Sequence, residues 1–236
     1  MFVLGIEAAT PVASAAVLDD DSVLAERLVN NQRTHSVNLL PMIKAVLADA
    51  GVAPEQLGGI AVSAGPGSFT GLRIGMSTAK TLAQVWGLPV VGVGTLEALA
   101  HPLTGLAGLV CPLLNARKNE VYAAIYESRA GRLHCLAGPM AAAPEKLAAQ
   151  LLALDRPVTL LGDGVPVCGA LLRRHLGELV SLAPAAAALP RGAAVAELGR
   201  RLLAAGEGMD PLRLLPRYIR LSEAEIKWRE KQGAVK

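Results

Sequence analysis

The feature that most constrains the fold of this chain is an order of predicted strands and helices that occurs twice. Each set runs strand, strand, strand, helix, strand, helix, with polar or glycine-rich turns between the elements. The first set has strands at 2–7, 12–18, 22–30 and 59–63 and helices at 34–50 and 69–86. The second has strands at 109–114, 120–127, 132–137 and 158–161 and helices at 144–154 and 167–175. An additional buried strand at 90–93 follows the first set.

A weak similarity between the two sets supports the duplication of one small α/β unit. At an offset of 108 residues, residues 5–8 align with residues 113–116, and residues 15–17 align with residues 123–125. A duplicated unit with this order is the one used by actin, sugar kinases and chaperone ATPases. We therefore predict an α/β protein with a duplicated RNase H-like, actin-like (ASKHA) fold of two lobes. In that fold the lobes face each other across a nucleotide cleft, which is an analogy of fold and not of function.

The predicted elements divide the chain into three parts. Residues 1–103 form the first lobe, residues 104–215 the second, and residues 216–236 contain a C-terminal helix. Ser222 caps that helix and Glu225 takes the capping-box position. Whether the helix docks on the first lobe is open from sequence.

Composition excludes several classes of protein. Hydrophobic residues make up 52% of the chain and charged residues 18%, which is typical of a packed globule. The three cysteines, Cys111, Cys135 and Cys168, are widely spaced and form no CxxC, so neither a disulfide framework nor a structural zinc site is expected. Glu7 interrupts the only apolar N-terminal run, and no apolar stretch is long enough for a membrane span. We expect a cytoplasmic protein.

A glycine-rich run at residues 63–75, SAGPGSFTGLRIG, joins a predicted buried strand to a long helix. Exposed amides at the start of a helix can hold an anion. No lysine follows the glycines as in a Walker motif. From the motif alone, a tight turn that binds nothing is the better interpretation.

The helix after this loop carries small residues at every fourth position. Gly71, Gly75, Ala79 and Ala83 therefore share one face, which allows another helix to approach closely. The periodicity does not decide whether that helix belongs to this chain or to a partner. The candidate partner residues on the two neighbouring helices are His35, Leu39, Leu40, Met42, Ile43, Gly71, Leu72, Gly75, Met76, Ala79 and Ala83.

Two polar residues end equivalent strands in the two sets. Glu7 ends the first strand, and Asn115 follows the corresponding strand of the second set. In a nucleotide cleft an acid at Glu7 would help to hold magnesium, but an amide is a weaker partner for the metal and no general base. With Thr10 and Arg117 these residues define a degenerate nucleotide cleft, or they only order turns, which is the simpler interpretation. The four histidines are too far apart for a metal site.

Taken together, these segments resemble the TsaB family, a bacterial subunit of the machinery that makes threonylcarbamoyladenosine beside the tRNA anticodon. The most specific match is the glycine loop with the helix start, residues 65–75. The other matching segments are residues 4–10, 34–36, 40–43, 92–97, 115–117, 120–122 and 216–220. The resemblance spans nearly the whole chain.

The resemblance implies a dimerisation subunit without catalysis or a cofactor of its own. It would pair through the two helices above with the transferase TsaD, or with a second copy of itself when alone. The ATPase TsaE would join the pair and use ATP, and tRNA would be met through the complex. The catalytic paralogue TsaD carries a metal-binding histidine pair where this chain has Thr95 and Leu99, and neither replaces imidazole. The family usually has Asp at Glu7 and commonly at Asn115.

Two other functions stay open from sequence. One is a nucleotide-dependent ATPase or kinase of the same fold, and the other is a glycopeptidase-type metalloprotease, which the missing histidine pair disfavours. The segment 191–236 holds 10 basic and 6 acidic residues. The sequence does not decide whether its cations touch tRNA; they include Arg213, Arg217, Arg220, Lys227 and Arg229.

Overall fold

Two five-stranded sheets form the centres of two similar halves of the molecule. The computed structural model describes residues 1–31, 34–220 and 228. The strand order is β3-β2-β1-β4-β5 in the first sheet and β10-β9-β6-β7-β8 in the second. In both sheets the three leading strands are antiparallel, and the strands after them add in parallel. This topology confirms the predicted α/β class and the duplication.

The first half is built from five strands and three helices. Its elements are β1 (Phe2–Glu7), β2 (Ala13–Leu18), β3 (Val23–Val29), α1 (His35–Ala50), β4 (Leu57–Gly65), α2 (Phe69–Trp86), β5 (Val90–Gly94) and α3 (Thr95–Ala100). Every residue of β2 is buried, as expected for a strand covered on both faces. Helices α1 and α2 pack on one face of the sheet, where Leu39, Val46 and Ala79 meet Ile6 and Val62 in one core cluster.

The second half repeats this order. Its elements are β6 (Leu109–Asn115), β7 (Val121–Arg129), β8 (Arg132–Ala142), α4 (Pro144–Leu154), β9 (Val158–Leu161), α5 (Val165–Leu176), β10 (Val180–Leu182) and α6 (Gly192–Ala204). Helices α4 and α5 cover one face of the second sheet, where Leu147, Leu151 and Leu172 pack against Leu113 and Ile125. The predicted order is therefore confirmed in both halves.

The last helix of each half packs against the sheet of the other half. Val195 and Ala196 of α6 lie against Val3 and Ala61 of the first sheet. Leu96 and Leu99 of α3 share a cluster with residues of β6 and β7 in the second sheet. Each sheet therefore packs against one helix that the predicted boundary at residue 103 assigns to the other half. Helix α6 packs on the first sheet, and α3 packs on the second.

The ends of α1 and α2 follow local chemistry except at the start of α1. Gly51 and Gly87 end α1 and α2 in the left-handed conformation, with φ of 65° and 66°. Ser68 caps α2 by accepting a hydrogen bond from the Gly71 N–H. Thr34 occupies the N-cap position of α1, but its side chain makes no capping hydrogen bond.

The set of predicted helices and strands is incomplete, and one predicted helix cannot be compared with the structure. The sequence patterns do not predict α3, α6 or β10. They predict that β8 ends at residue 137, whereas it ends at Ala142 in the structure. The predicted C-terminal helix lies almost wholly outside the described residues. Among the helices that the structure describes, none has both the length and the apolar character that crossing a membrane requires.

Candidate functional site

A cleft of about 750 Å³ opens between the two halves. Its walls come from the turn after β1, the start of α2, the turn after β6 and the segment that follows residue 214. The lining includes Thr10, Asn115 and Arg117 of the predicted cleft. It also includes residues that the cleft prediction omitted, namely His35, Phe69, Arg73, Tyr122, Asp163, Arg217, Tyr218 and Arg220.

Glu7 lies behind the cleft rather than in its wall. Its side chain is fully buried, its Oε1 accepts a hydrogen bond of 2.6 Å from the Ala9 N–H, and its Oε2 has no hydrogen-bond partner. Burial raises the pKa of Glu7 to about 7, although the hydrogen bond from Ala9 and the nearby Ser63 hydroxyl act in the opposite direction. A carboxyl in this position orders the turn after β1 and does not reach the solvent of the cleft.

Asn115 makes the equivalent bond in the second half but is exposed. Its Oδ1 accepts from the Arg117 N–H at 2.9 Å, and its own N–H donates to Asp163 Oδ1 at 3.0 Å. Arg117 and the next two residues, Lys118 and Asn119, all have left-handed backbones, with φ between 51° and 62°. The turn-ordering role preferred from sequence is what both residues perform in the structure.

The glycine loop packs against this chain's own backbone. A Cβ on Gly67 would lie 2.3 Å from the carbonyl oxygen of Ala9, and one on Gly71 would lie 2.2 Å from that of Ala8. The Ser68 N–H donates to the Ala9 carbonyl at 2.7 Å. These glycines therefore allow the turn after β1 to sit on the start of α2, as the tight-turn interpretation expects.

The small-residue stripe of α2 is buried inside this chain, so of the two alternatives left open by the periodicity, packing within the chain is the one observed. A Cβ on Gly75 would meet the Ala8 Cβ at 2.9 Å, and Ala79 and Ala83 are fully inaccessible to solvent. The stripe faces the first sheet because only small residues let the helix approach β1 and β4. The other candidates that prove buried are His35, Leu39, Met42, Ile43, Leu72 and Met76.

Leu40 is the one candidate partner residue that is exposed, with 55% of its surface accessible. It lies on the outer face of α1 near Val37, which is 58% exposed. A shallow groove between the outer faces of α1 and α2 is lined by Ser36, Leu39, Leu40, Arg73, Ile74, Ser77 and Thr78. The exposed surface of these two helices is therefore this outer face, which we call the α1–α2 face.

The segment after residue 210 connects the two halves across the cleft. The Arg217 N–H donates to the Ala64 carbonyl at 2.7 Å, and the Tyr218 ring stacks on Phe69 with centroids 4.7 Å apart. At its far end, Arg220 donates to Glu120 Oε2 of the second half at 2.7 Å. We call residues 210–220 the strap. The segment of residues 216–220 is one of those that match in the sequence, but the sequence does not predict its place at the cleft.

Comparison with known proteins places the chain in a family. A curated relative named tRNA threonylcarbamoyladenosine biosynthesis protein TsaB, from Bacillus subtilis, is 35% identical over 98% of this chain and 100% of its own length. The chain belongs to the TsaB family. Residues 22–228 also match the family model described as TsaD, tRNA N6-adenosine threonylcarbamoyltransferase.

Solved structures agree with the TsaB family and with the fold. A protein of Pseudomonas aeruginosa, described as uncharacterized with similarity to peptidase YEAZ, superposes with a TM-score of 0.78 and 26% identity, over 93% of this chain and 99% of that one. The ROK hexokinase of Thermus thermophilus superposes with a TM-score of 0.52 at 15% identity, over 86% of this chain and 100% of that one. The second likeness concerns the fold alone and confirms the predicted actin-like (ASKHA) architecture.

Thr95 and Leu99, which stand where the resemblance places the histidine pair of the transferase, are both fully buried. Leu99 belongs to the apolar cluster between α3 and the second sheet. Thr95 begins α3, and its Oγ1 has no hydrogen-bond partner. Neither side chain is a good ligand for a transition metal. Among the described residues no group of three or more His, Cys, Asp or Glu side chains is arranged to hold one.

Proposed function

We propose that this chain is a non-catalytic subunit in the formation of N6-threonylcarbamoyladenosine next to the tRNA anticodon. It pairs with a TsaD-like transferase, and a TsaE-like ATPase joins the pair, uses ATP and completes the complex that meets tRNA. Membership of the TsaB family, at 35% identity over 98% of the chain, carries the proposal. The setting is the cytoplasm, where tRNA is modified.

The α1–α2 face is the surface we propose for the transferase. It exposes Val37 and Leu40 beside a groove that α2 completes with Ile74. Apolar side chains that are more than half exposed cost free energy in water, and a partner that covers them removes that cost. The same face serves a second copy of this chain when the transferase is absent.

The absence of catalysis rests on the chemistry of the buried groups. Glu7 does not line the cleft, so its carboxylate is not available to a nucleotide-bound magnesium ion. Thr95 and Leu99 replace the histidine pair and lie in the core. The purified chain should therefore release no phosphate from magnesium ATP above the rate of a buffer control. Turnover by the chain alone would contradict this part of the proposal.

A charge on the α1–α2 face tests the pairing. We expect Leu40→Glu to weaken co-purification with the TsaD-like transferase by at least about tenfold, because a carboxylate would be desolvated at the interface. The matched control is Leu152→Glu on α4, the equivalent helix of the second half, where Leu152 is 51% exposed. Both variants should unfold at the wild-type temperature.

The measurement is the dissociation constant with the transferase, with and without tRNA. A Leu40→Glu variant that binds as tightly as the wild type would remove the α1–α2 face from the proposal. Equal weakening by Leu152→Glu would show that added charge, and not the site of the charge, is responsible. Gly75→Leu does not serve as an interface probe, because its side chain would enter the buried contact with Ala8.

A further inference from the structure

The cleft between the halves carries an excess of positive charge. Of the described residues, four arginines line it, and one carboxylate, that of Asp163, faces them. That carboxylate already accepts the Asn115 N–H at 3.0 Å. The four arginines are Arg73, Arg117, Arg217 and Arg220. A partly enclosed site with this balance attracts anions and repels cations.

The cluster of carboxylates that a divalent cation needs does not line this cleft in the part of the chain that the structure describes. Glu7 is fully buried behind the wall, and its counterpart in the second half is the amide of Asn115. Magnesium binds through carboxylate and phosphate oxygens, so the lining residues favour an anion that arrives without the metal. The guanidinium groups would take the place of the cation.

Two of the arginines are held in position by other side chains. The Arg73 guanidinium lies 4.0 Å from the centre of the Phe69 ring, and its Nε donates to the Tyr218 hydroxyl at 3.3 Å. Arg220 donates to Glu120 and to the carbonyl of Ala116. Ordered arginines lose less entropy on binding an anion than free ones.

The remaining two come from opposite walls. Arg117 belongs to the turn after β6 in the second half, and Arg217 belongs to the strap where it is bonded to the first half. The backbone of Arg117 is left-handed, with φ of 62°. This conformation costs free energy for a residue that carries a Cβ. Arg117 lies on the second-half wall of the cleft. Arg217 also lines a second cavity beside Glu97, where its charge opposes the rise in the Glu97 pKa that burial causes.

An unused polar atom is buried in the same wall. His35 is 9% exposed, its Nε2 lies 2.8 Å from the Thr10 carbonyl oxygen, and its Nδ1 has no hydrogen-bond partner. The cleft volume of about 750 Å³ is in the range of small-molecule sites. It suits a small anion better than a nucleic-acid strand.

We propose that this cleft binds a small phosphate-bearing anion directly through its arginines, without a divalent cation. Arg117 contacts the phosphate oxygens, since a guanidinium group presents paired N–H donors that match them. Arg73 and Arg220 supply fixed positive charge at the walls. The cleft shares Arg73 with the groove of the α1–α2 face, but the proposal does not rest on pairing with the transferase.

Titration calorimetry of the full chain with inorganic pyrophosphate, in EDTA and at low salt, tests the proposal. We expect one saturable site, and Arg117→Gln should weaken it by about tenfold because a charge-assisted hydrogen bond is lost. Arg213→Gln is the matched control, since it removes the same charge from the strap at a position outside the lining. It should bind pyrophosphate within about twofold of the wild type, the small change expected from a distant screened charge.

Further ligands identify the source of the phosphate. Adenosine diphosphate that binds more tightly than pyrophosphate assigns the site to a nucleotide, and equal affinities assign it to the phosphate groups alone. Excess magnesium should weaken binding because it competes with the arginines for the anion. Binding that requires magnesium, equal weakening by both arginine variants, or no saturable binding at millimolar pyrophosphate would overturn the proposal.

Discussion

Glu7 and Asn115 end equivalent strands in the two halves and make the same local bond, yet their surroundings differ. Each side-chain oxygen accepts the backbone N–H two residues further along the chain. Glu7 is fully buried with one oxygen unpaired, whereas Asn115 is exposed at the cleft. Duplication therefore preserved the turn in both halves, and packing around each turn decided whether the polar group is accessible.

The equivalent helices α2 and α5 also differ between the halves, in how closely they pack. Helix α2 buries Gly71, Gly75, Ala79 and Ala83 against the first sheet. In α5, the equivalent helix, a Cβ on Gly169 would meet only the Cγ1 of Val165, at 3.1 Å. The loops before the two helices are equally tight, since a Cβ on Gly162 would lie 2.2 Å from the carbonyl oxygen of Leu113. The difference lies in the helices, where α2 is closely packed and α5 tolerates more change at Gly169.

Gly71→Ala should have the largest effect, because its Cβ would lie 2.2 Å from a backbone oxygen that cannot move aside. We expect a loss of more than about 3 kcal/mol in the free energy of unfolding, measured with urea. Gly169→Ala should change stability by less than about 1 kcal/mol, since Val165 can adjust and alanine favours the helix. Equal losses in the two helices would break the comparison between the halves.

Glu7→Gln should raise stability at alkaline pH. The pKa of Glu7 is raised from 4.5 to about 7 in the folded protein, so wild-type stability falls as pH rises through this window. The neutral variant should avoid this loss and be more stable by about 3 kcal/mol at pH 8, with little difference at pH 4. The measurement is urea unfolding at both pH values.

Asn115→Asp provides the matched test in the second half. Because Asn115 is exposed, the new carboxylate stays hydrated, and we expect less than about 0.5 kcal/mol of change at either pH. If the stability difference between Glu7→Gln and the wild type did not depend on pH, the burial of Glu7 would not control its ionisation.

A small effect is also expected where the strap reaches the second half. Arg220 and Glu120 form a partly exposed ion pair, with side-chain exposures of 26% and 35%. A double-mutant cycle with Arg220→Gln and Glu120→Gln should give a coupling of about 1 kcal/mol or less, which high salt reduces. A much larger coupling would show that the strap, and not the sheets alone, holds the halves together.

Local signals in the sequence sufficed for most of the fold. Turn residues and alternating patterns located β1, α1, β4 and α2 within a few residues of their observed ends. Helix α6 was not predicted, although alanine and leucine favour helices and its buried residues lie on one face. That it packs on the sheet of the other half is visible only in the structure. The cleft was predicted only in part, since the strap joins it through contacts between residues at least 100 positions apart in the chain.

The sequence by itself determined that Gly71, Gly75, Ala79 and Ala83 share one helix face, because spacing along a helix sets direction around its axis. Only the tertiary structure decided what covers that face, because periodicity carries no information about the neighbour. Here the neighbour is the turn at Ala8, whose carbonyl leaves no space for a Cβ on Gly71. The same packing leaves the outer residue Leu40, and not the glycine stripe, exposed to solvent.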